Sequence, residues 1–281
     1  MADLKPMDLG ELLDGALTIF RRHFLLFMKI GVIALWFPVA LAIYVELAGG
    51  SEQHPVLGFF IVVIRWFAGV FLTASAIRVI SDSYLGRRPE LADAIALGSS
   101  KIMPLFLVGL GKGLLLGLIG IGAVMVGALT IPALIAGGGG GGLGVFAVFA
   151  LVIAGFWLMI YVACGYAVTT PVVVLEDLNS SSDSFGRSWD LTRGFKLKIF
   201  LISLVSIVVV FIPGIAIALL GEYLTRESPI VGQSIEILSA ALPILLTPLF
   251  SCVLTLLYYD LRVRREAFDL EVLSEQLGAL R

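Results

Sequence analysis

Charged residues, cysteines and histidines are all scarce in this sequence. Only 14% of its 281 residues are charged, against about 25% in soluble globular proteins. Because so few charges cannot cover a water-facing surface, the composition excludes a soluble enzyme, a secreted domain and a disordered tail. Two cysteines and two histidines leave little for metals, and 19 basic against 21 acidic residues give no basic field. We therefore expect no cofactor, no metal site and no nucleic-acid partner.

Long apolar runs dominate instead, since 59% of the residues are apolar. A helix that crosses a hydrocarbon core of about 30 Å needs about 20 such residues. Six runs are long enough, so the sequence predicts an all-α protein, a polytopic bundle of six transmembrane helices surrounded by membrane lipids. The predicted spans are 24–47, 56–80, 102–135, 143–175, 198–220 and 237–259.

Basic residues are concentrated in four segments of the chain. Sixteen of the 19 lie at the start of span one, around the loop between spans two and three, between spans four and five, or after span six. Lysine and arginine near the ends of spans stay on the cytoplasmic side of a membrane. Both termini are therefore predicted to be cytoplasmic.

A short amphipathic segment precedes each pair of spans. These segments start near residues 8, 89 and 183, with apolar residues at helical spacing on one face. In the first, Leu12, Ala16 and Phe20 share a face, and Asp8 with Glu11 is typical of a capped helix start.

This spacing predicts a single membrane domain over 1–281. It is built either from three tandem units, each an interfacial helix and a transmembrane hairpin, or without a true repeat, because any even-numbered bundle puts its basic segments on one side. The units would be 1–86, 87–176 and 177–260, followed by a C-terminal cytoplasmic amphipathic helix over 261–281.

Two basic residues fall inside the predicted spans, Arg65 in span two and Lys112 in span three. An ionisable group at mid-depth costs roughly 3 kcal/mol or more unless it is paired, hydrated or able to reach the interface. Two carboxylates, Glu46 and Glu236, lie at the outer ends of spans one and six. A pair between Arg65 and one of them would be structural, and Lys112 would extend to the interface. The alternative is a polar cavity that accepts an anionic group such as a lipid phosphate.

Two patterns with four-residue spacing concern helix packing. Span six carries a polar stripe, which either hydrogen-bonds to neighbouring helices or lines a translocation path. Its members are Thr247, Ser251, Thr255 and Tyr259. Span three carries a glycine ridge that lets another helix approach closely. Its members are Gly109, Gly113 and Gly117.

Three stretches on the predicted cytoplasmic side form a recognisable pattern. They are GELLDGALTIFRRHF at 10–24, SFGRSWDLTRGFKLKIF at 184–200 and LLYYDLRVRREAFDLEVL at 256–273. They resemble a family of bacterial six-helix membrane proteins similar to the membrane domain of glycerophosphoryl diester phosphodiesterase. The resemblance implies a bacterial inner-membrane protein. It implies no enzyme activity, because hydrolysis in those phosphodiesterases belongs to a separate soluble barrel.

Two functions fit these patterns better than a third, a membrane-embedded hydrolase, for which the sequence offers no catalytic constellation. The first is a non-catalytic subunit or scaffold of a larger inner-membrane assembly, with protein partners in the membrane. The second is a carrier for lipids or small amphipathic anionic solutes that uses Arg65 and Lys112. A cavity shared by Arg65 and Lys112 would favour the carrier, whereas a closed bundle around Arg65 would weigh against it.

Overall fold

The computed structural model describes residues 6–48, 53–136, 142–227 and 229–267. Within these ranges the regular secondary structure is helical, which confirms the predicted all-α class, and ten helices follow one another. They are α1 (Leu9–Arg22), α2 (Phe24–Leu47), α3 (Pro55–Tyr84), α4 (Leu91–Ser100), α5 (Ile102–Ala136), α6 (Gly142–Gly165), α7 (Thr169–Leu175), α8 (Asp183–Thr192), α9 (Lys196–Glu227) and α10 (Pro229–Glu266).

Six long helices, α2, α3, α5, α6, α9 and α10, contain stretches long and apolar enough to cross a membrane. Their outward faces expose large apolar side chains, such as Phe146 at 72% and Trp157 at 67% exposure. A soluble monomer rarely leaves so much apolar surface in water. The six helices therefore support a multi-pass membrane protein. The bacterial inner membrane and the cytoplasmic placement of the termini stay predictions.

The region predicted as one fourth span is interrupted in the structure. Helix α6 ends at Gly165, and the short α7 begins at Thr169. The Gly165 carbonyl accepts hydrogen bonds from the Ser188 and Thr192 hydroxyls at 3.0 and 3.1 Å. Because Pro171 has no backbone N–H, it cannot continue the hydrogen-bond ladder of α6. We call residues 165–168 the α6–α7 break.

Helix α10 lies at the centre of the bundle. It packs against α9, α3, α2 and α1, and 61% of the most apolar stretch of its span is buried, compared with 6% for the span that contains α6. Its fully buried side chains include Leu256, Leu257 and Tyr258, which form the core with Phe27 of α2 and Leu72 of α3. By contrast, α5 and α6 pack mainly against each other.

Three short helices, α1, α4 and α8, lie where the sequence predicts amphipathic segments. Leu12, Ala16 and Phe20 of α1 are buried as predicted, and the Glu11 carboxylate accepts the Asp8 backbone N–H at 3.0 Å. Each short helix is followed by two long ones, although α7 lies between the second and third such groups. The division into three tandem units stays a prediction. Residues 261–266 continue α10, Ala267 follows the helix with φ +50°, and the predicted helical residues 268–281 lie outside the described residues.

Helices α1, α4 and α8 meet the spans at one end of the bundle. We call this end the charged end. At the joint between α1 and α2, the His23 Nε2 atom shares a hydrogen bond of 2.9 Å with the Ser83 hydroxyl. Burial lowers the pKa of His23 below its usual value, and the neighbouring Arg22 charge lowers it further. The imidazole therefore favours its neutral form at this joint.

Candidate functional site

A cavity of about 330 Å³ lies between α3 and α5. Helices α7 and α10 contribute one threonine each, so four elements meet there. Its lining residues are Arg65, Trp66, Gly69, Val70, Thr73, Leu105, Val108, Gly109, Lys112, Thr170 and Thr247. Among these lining residues of the described chain, Arg65 and Lys112 are cationic and none is acidic. We call this space the Arg65–Lys112 cavity.

Lys112 is held in the cavity wall by the α6–α7 break. Its ammonium donates a hydrogen bond of 2.9 Å to the Tyr166 carbonyl. Tyr166 follows the last residue of α6, and its carbonyl also accepts the Thr169 hydroxyl at 2.9 Å. Lys112 is therefore anchored to the backbone of this break, and its extension to the membrane interface stays a prediction.

Arg65 enters the cavity from the opposite helix, α3, and is partly buried. It has an interaction partner within the chain. The structure therefore brings together two cations that are 47 positions apart in the sequence.

One aromatic ring forms part of the cavity wall on the α3 side. Trp66 lines the cavity and lies 4.8 Å from the Phe106 ring of α5, which also stacks on Phe67 at 4.8 Å. Aromatic pairs at such distances stabilise each other by about 0.5–1.5 kcal/mol beyond the burial of their surface. The cavity thus combines two cations with apolar side chains, among them Trp66, Val70 and Leu105, which suits a ligand that is anionic at one end and apolar at the other.

Two carboxylates, Glu46 and Glu236, are predicted as partners of Arg65. The backbones of Glu46 and Glu236 belong to α2 and α10. Their side chains lie outside the described residues. Their pairing with Arg65 stays a prediction.

The predicted polar stripe of α10 is divided between two environments. Thr247 lines the Arg65–Lys112 cavity. Further along, Ser251 and Thr255 are buried, and their hydroxyls donate to the backbone carbonyls four residues earlier at 2.8 and 2.7 Å. Tyr259 reaches another helix, where its hydroxyl shares a hydrogen bond of 2.7 Å with Ser81 of α3. The last three residues of the stripe therefore act in packing, and Thr247 alone among these four faces the cavity.

The glycine ridge of α5 faces open space. A Cβ atom added at Gly109, Gly113 or Gly117 would meet no atom within 4 Å in the described structure. Close packing between α5 and α6 uses a different small-residue face, where a Cβ at Gly155 would lie 2.6 Å from Ala123. Within the described chain, no other helix therefore packs closely against this ridge, although Gly109 borders the Arg65–Lys112 cavity.

A family model described as a domain of unknown function, DUF7847, matches residues 7–261. The chain belongs to this family. No curated protein and no solved structure matches it significantly. The DUF7847 match includes the cavity residues Arg65, Lys112 and Thr247. It shows no link to glycerophosphoryl diester phosphodiesterase, so that resemblance stays a prediction.

Sequence reasoning missed one side of the cavity in this DUF7847 member. Thr170 and the Tyr166 carbonyl enter the site because α6 stops at Gly165. The available signal was Gly165 followed by Pro171, since glycine weakens a helix and proline interrupts it. In the part of the chain that the structure describes, no group of three or more metal-ligating side chains occurs.

A buried ion cluster at the charged end was also missed. The fully buried Asp260 carboxylate accepts the Lys198 ammonium at 2.6 Å, the Met7 backbone N–H at 2.7 Å and the Arg264 guanidinium at 3.0 Å. Only the spacing between Asp260 and Arg264, one helical turn, was visible in the sequence. The cluster joins the N-terminal segment to α9 and α10.

A second cluster joins α8 to the end of α10. Arg187 binds Glu176 at 2.8 Å and forms a bidentate pair with Glu266. Tyr258 donates to the other Glu176 oxygen at 2.8 Å. The hydrogen bonds to Glu266, and then those to Glu176, raise the pKa of Arg187 above its usual value despite burial. Both clusters connect helices at the charged end. Neither Arg65 nor Lys112 belongs to the ion pairs described for them.

Proposed function

We propose that this protein is a carrier that binds the anionic headgroup of a lipid or lipid-like solute in the Arg65–Lys112 cavity. One observation carries the proposal: Arg65 and Lys112, from different helices, line one cavity with aromatic and apolar walls. The proposal contains no catalytic step. Its setting is the bacterial inner membrane, with both termini in the cytoplasm.

The charge of the site favours an anion. Cations placed inside a span are costly unless they are paired or serve a function. Lys112 has one carbonyl partner, and an ammonium offers three donors. A phosphate oxygen would accept the remaining donors of Lys112 and bind the Arg65 guanidinium, and such charge-assisted bonds are the strong ones.

The size and border of the cavity favour an amphiphile. A volume of about 330 Å³ lies at the lower end of ligand cavities and suits a headgroup rather than a whole lipid. Gly109 and Trp66, which line the cavity, are exposed on the outer surfaces of α5 and α3. A headgroup could therefore enter from the side while its acyl chains stay in the bilayer.

Transport in proteoliposomes tests the carrier. We expect the wild-type protein to move fluorescent phosphatidylglycerol between leaflets, measured by dithionite quenching. The substitutions Arg65→Ala and Lys112→Ala should each slow this movement roughly tenfold or more, because each removes hydrogen bonds to a charged group. The Lys112→Ala variant should still fold, because the Tyr166 carbonyl would still accept the hydrogen bond from the Thr169 hydroxyl.

The matched control is Arg88→Ala, which removes an exposed arginine at the charged end. It should transport at the wild-type rate. Thermal unfolding in detergent should show that each variant is folded. Transport by the Arg65 and Lys112 variants at the Arg88→Ala rate would refute the carrier.

A subunit or scaffold role is the second candidate, and the open glycine ridge supports it. Gly109, Gly113 and Gly117 leave room for a helix that the described chain does not supply. Purification from the native membrane in mild detergent should then recover a protein partner. Substituting Gly113→Leu should release that partner, with Gly10→Leu, also in open space on α1, as control. Recovery of a lone monomer would count against this role.

A further inference from the structure

A second cavity, of about 660 Å³, lies at the charged end beside the start of α9. Its lining residues are Tyr161, Trp189, Arg193, Gly194, Lys196 and Leu197. None of them lines the Arg65–Lys112 cavity. We call it the Lys196 cavity.

Lys196 is enclosed by two aromatic rings. Its ammonium lies 3.3 Å from the centre of the Tyr161 ring and 3.5 Å from that of Trp189. The electron-rich ring faces stabilise the charge. The ammonium nitrogen is nevertheless buried with no hydrogen-bond partner among the described residues. Because a buried ammonium without an acceptor is costly, an anion bound in the adjoining cavity would stabilise its charge.

Arg193 adds a second cation to the same cavity. It lies three residues before Lys196, and the turn between them contains Gly194 with φ +87°. This left-handed conformation favours glycine and brings both basic residues to one wall. Arg265 fixes the turn by donating to the Arg193 backbone carbonyl. The exposed Arg193 side chain takes no part in that bond.

The surroundings of the cavity place it where a bilayer surface would lie. Leu197 is 73% exposed and Tyr161 47% exposed, near the start of α9 and the end of α6. Tyrosine and tryptophan are enriched at this depth, and basic pockets beside spans bind anionic headgroups. The described lining contains no carboxylate that would repel an anion.

We propose that the Lys196 cavity binds a phosphate group, supplied by an anionic phospholipid headgroup or by free phosphate. Lys196 contributes a positive charge beside the phosphate from between its two rings. Arg193 binds the same group with the planar donor pair that matches phosphate geometry. This site is independent of the carrier proposal, since it uses different residues.

Native mass spectrometry of the full-length protein with phosphatidylglycerol tests the site. Measurements in the Arg65→Ala, Lys112→Ala background exclude lipid bound in the other cavity, so failure of the carrier would leave this result intact. In that background, Arg193→Gln and Lys196→Gln should each weaken lipid retention roughly tenfold. Arg88→Gln, which removes an exposed arginine away from the cavity lining, should retain lipid unchanged.

Arg193→Gln keeps the test decisive if Lys196→Gln does not fold, because Arg265 binds the backbone carbonyl of Arg193, which the substitution leaves in place. Excess inorganic phosphate distinguishes the two sources. Displacement of the lipid by phosphate supports recognition of the phosphate group alone, and retention of the lipid assigns the site to the headgroup. Lipid retention by Arg193→Gln equal to that of Arg88→Gln, or no binding of lipid or phosphate at all, would overturn the proposal.

Discussion

Asp260→Asn is expected to lower the free energy of unfolding by about 3–5 kcal/mol, the usual cost of breaking a buried ion pair from one side. Asp260 is fully buried, whereas its partners Lys198 and Arg264 have side-chain exposures of 20% and 26%. The substitution would leave both cations without their carboxylate. A loss of this size is a large fraction of the roughly 5–15 kcal/mol that stabilises a typical protein.

The geometry of the Asp260 carboxylate explains why asparagine cannot replace it. One oxygen accepts the Met7 N–H and the other accepts the Lys198 ammonium at 2.6 Å. Arg264 binds both oxygens, at 3.0 and 3.1 Å. An amide would turn one acceptor into a donor that faces other donors. The expected loss therefore includes unpaired donors as well as lost charge.

Denaturation of the purified protein in mild detergent measures this effect. Asp190→Asn is the matched control, because Asp190 is an exposed carboxylate on α8 at the same end of the bundle. It should change stability by no more than about 0.5 kcal/mol. In a double-mutant cycle, Lys198→Met should cost less in the Asp260→Asn background than in the wild type. Equal stability of Asp260→Asn and Asp190→Asn would contradict the assignment.

The six spans could be predicted because length and apolarity decide them directly. Helix α2 occupies the predicted residues 24–47, since His23 and the turn after residue 47 interrupt the apolar run at both ends. The short helix α1 was equally visible from its apolar face and its acidic start. The ends of α10 could not be predicted, because the helix continues through polar residues on both sides of its apolar stretch.

The cavity could be predicted only in part. Arg65 and Lys112 were recognisable because charges are rare in apolar runs. Their approach depends on the packing of α3 against α5, which no local pattern contains. The α6–α7 break was hidden for a similar reason: its carbonyls are satisfied by Ser188, Thr192 and Lys112, which are distant in sequence.

Gly165→Ala is expected to destabilise the protein by about 1–3 kcal/mol, the usual cost of overpacking a filled site. A Cβ atom at this position would overlap two atoms of the Trp189 ring. Trp189 has little freedom to move away, since its ring also contacts Tyr161, Tyr166 and the Lys196 ammonium. Gly165 is therefore required for α8 to pack on the end of α6.

Gly113→Ala is the matched control for this substitution. It changes the same residue type in a long helix, where a Cβ would meet nothing within 4 Å. Alanine stabilises a helix interior relative to glycine by up to about 1 kcal/mol. The two variants should thus shift the denaturation midpoint in opposite directions.

The Gly165 substitution also connects packing with both cavities. The Trp189 ring that must move encloses Lys196 on one side and contacts Tyr166 on the other, and the Tyr166 carbonyl binds Lys112. We therefore expect Gly165→Ala to weaken phosphatidylglycerol retention at the Lys196 cavity and to slow transport, at temperatures where it remains folded. A Gly165→Ala protein with the stability and lipid retention of Gly113→Ala would show that the α6–α7 break does not position either site.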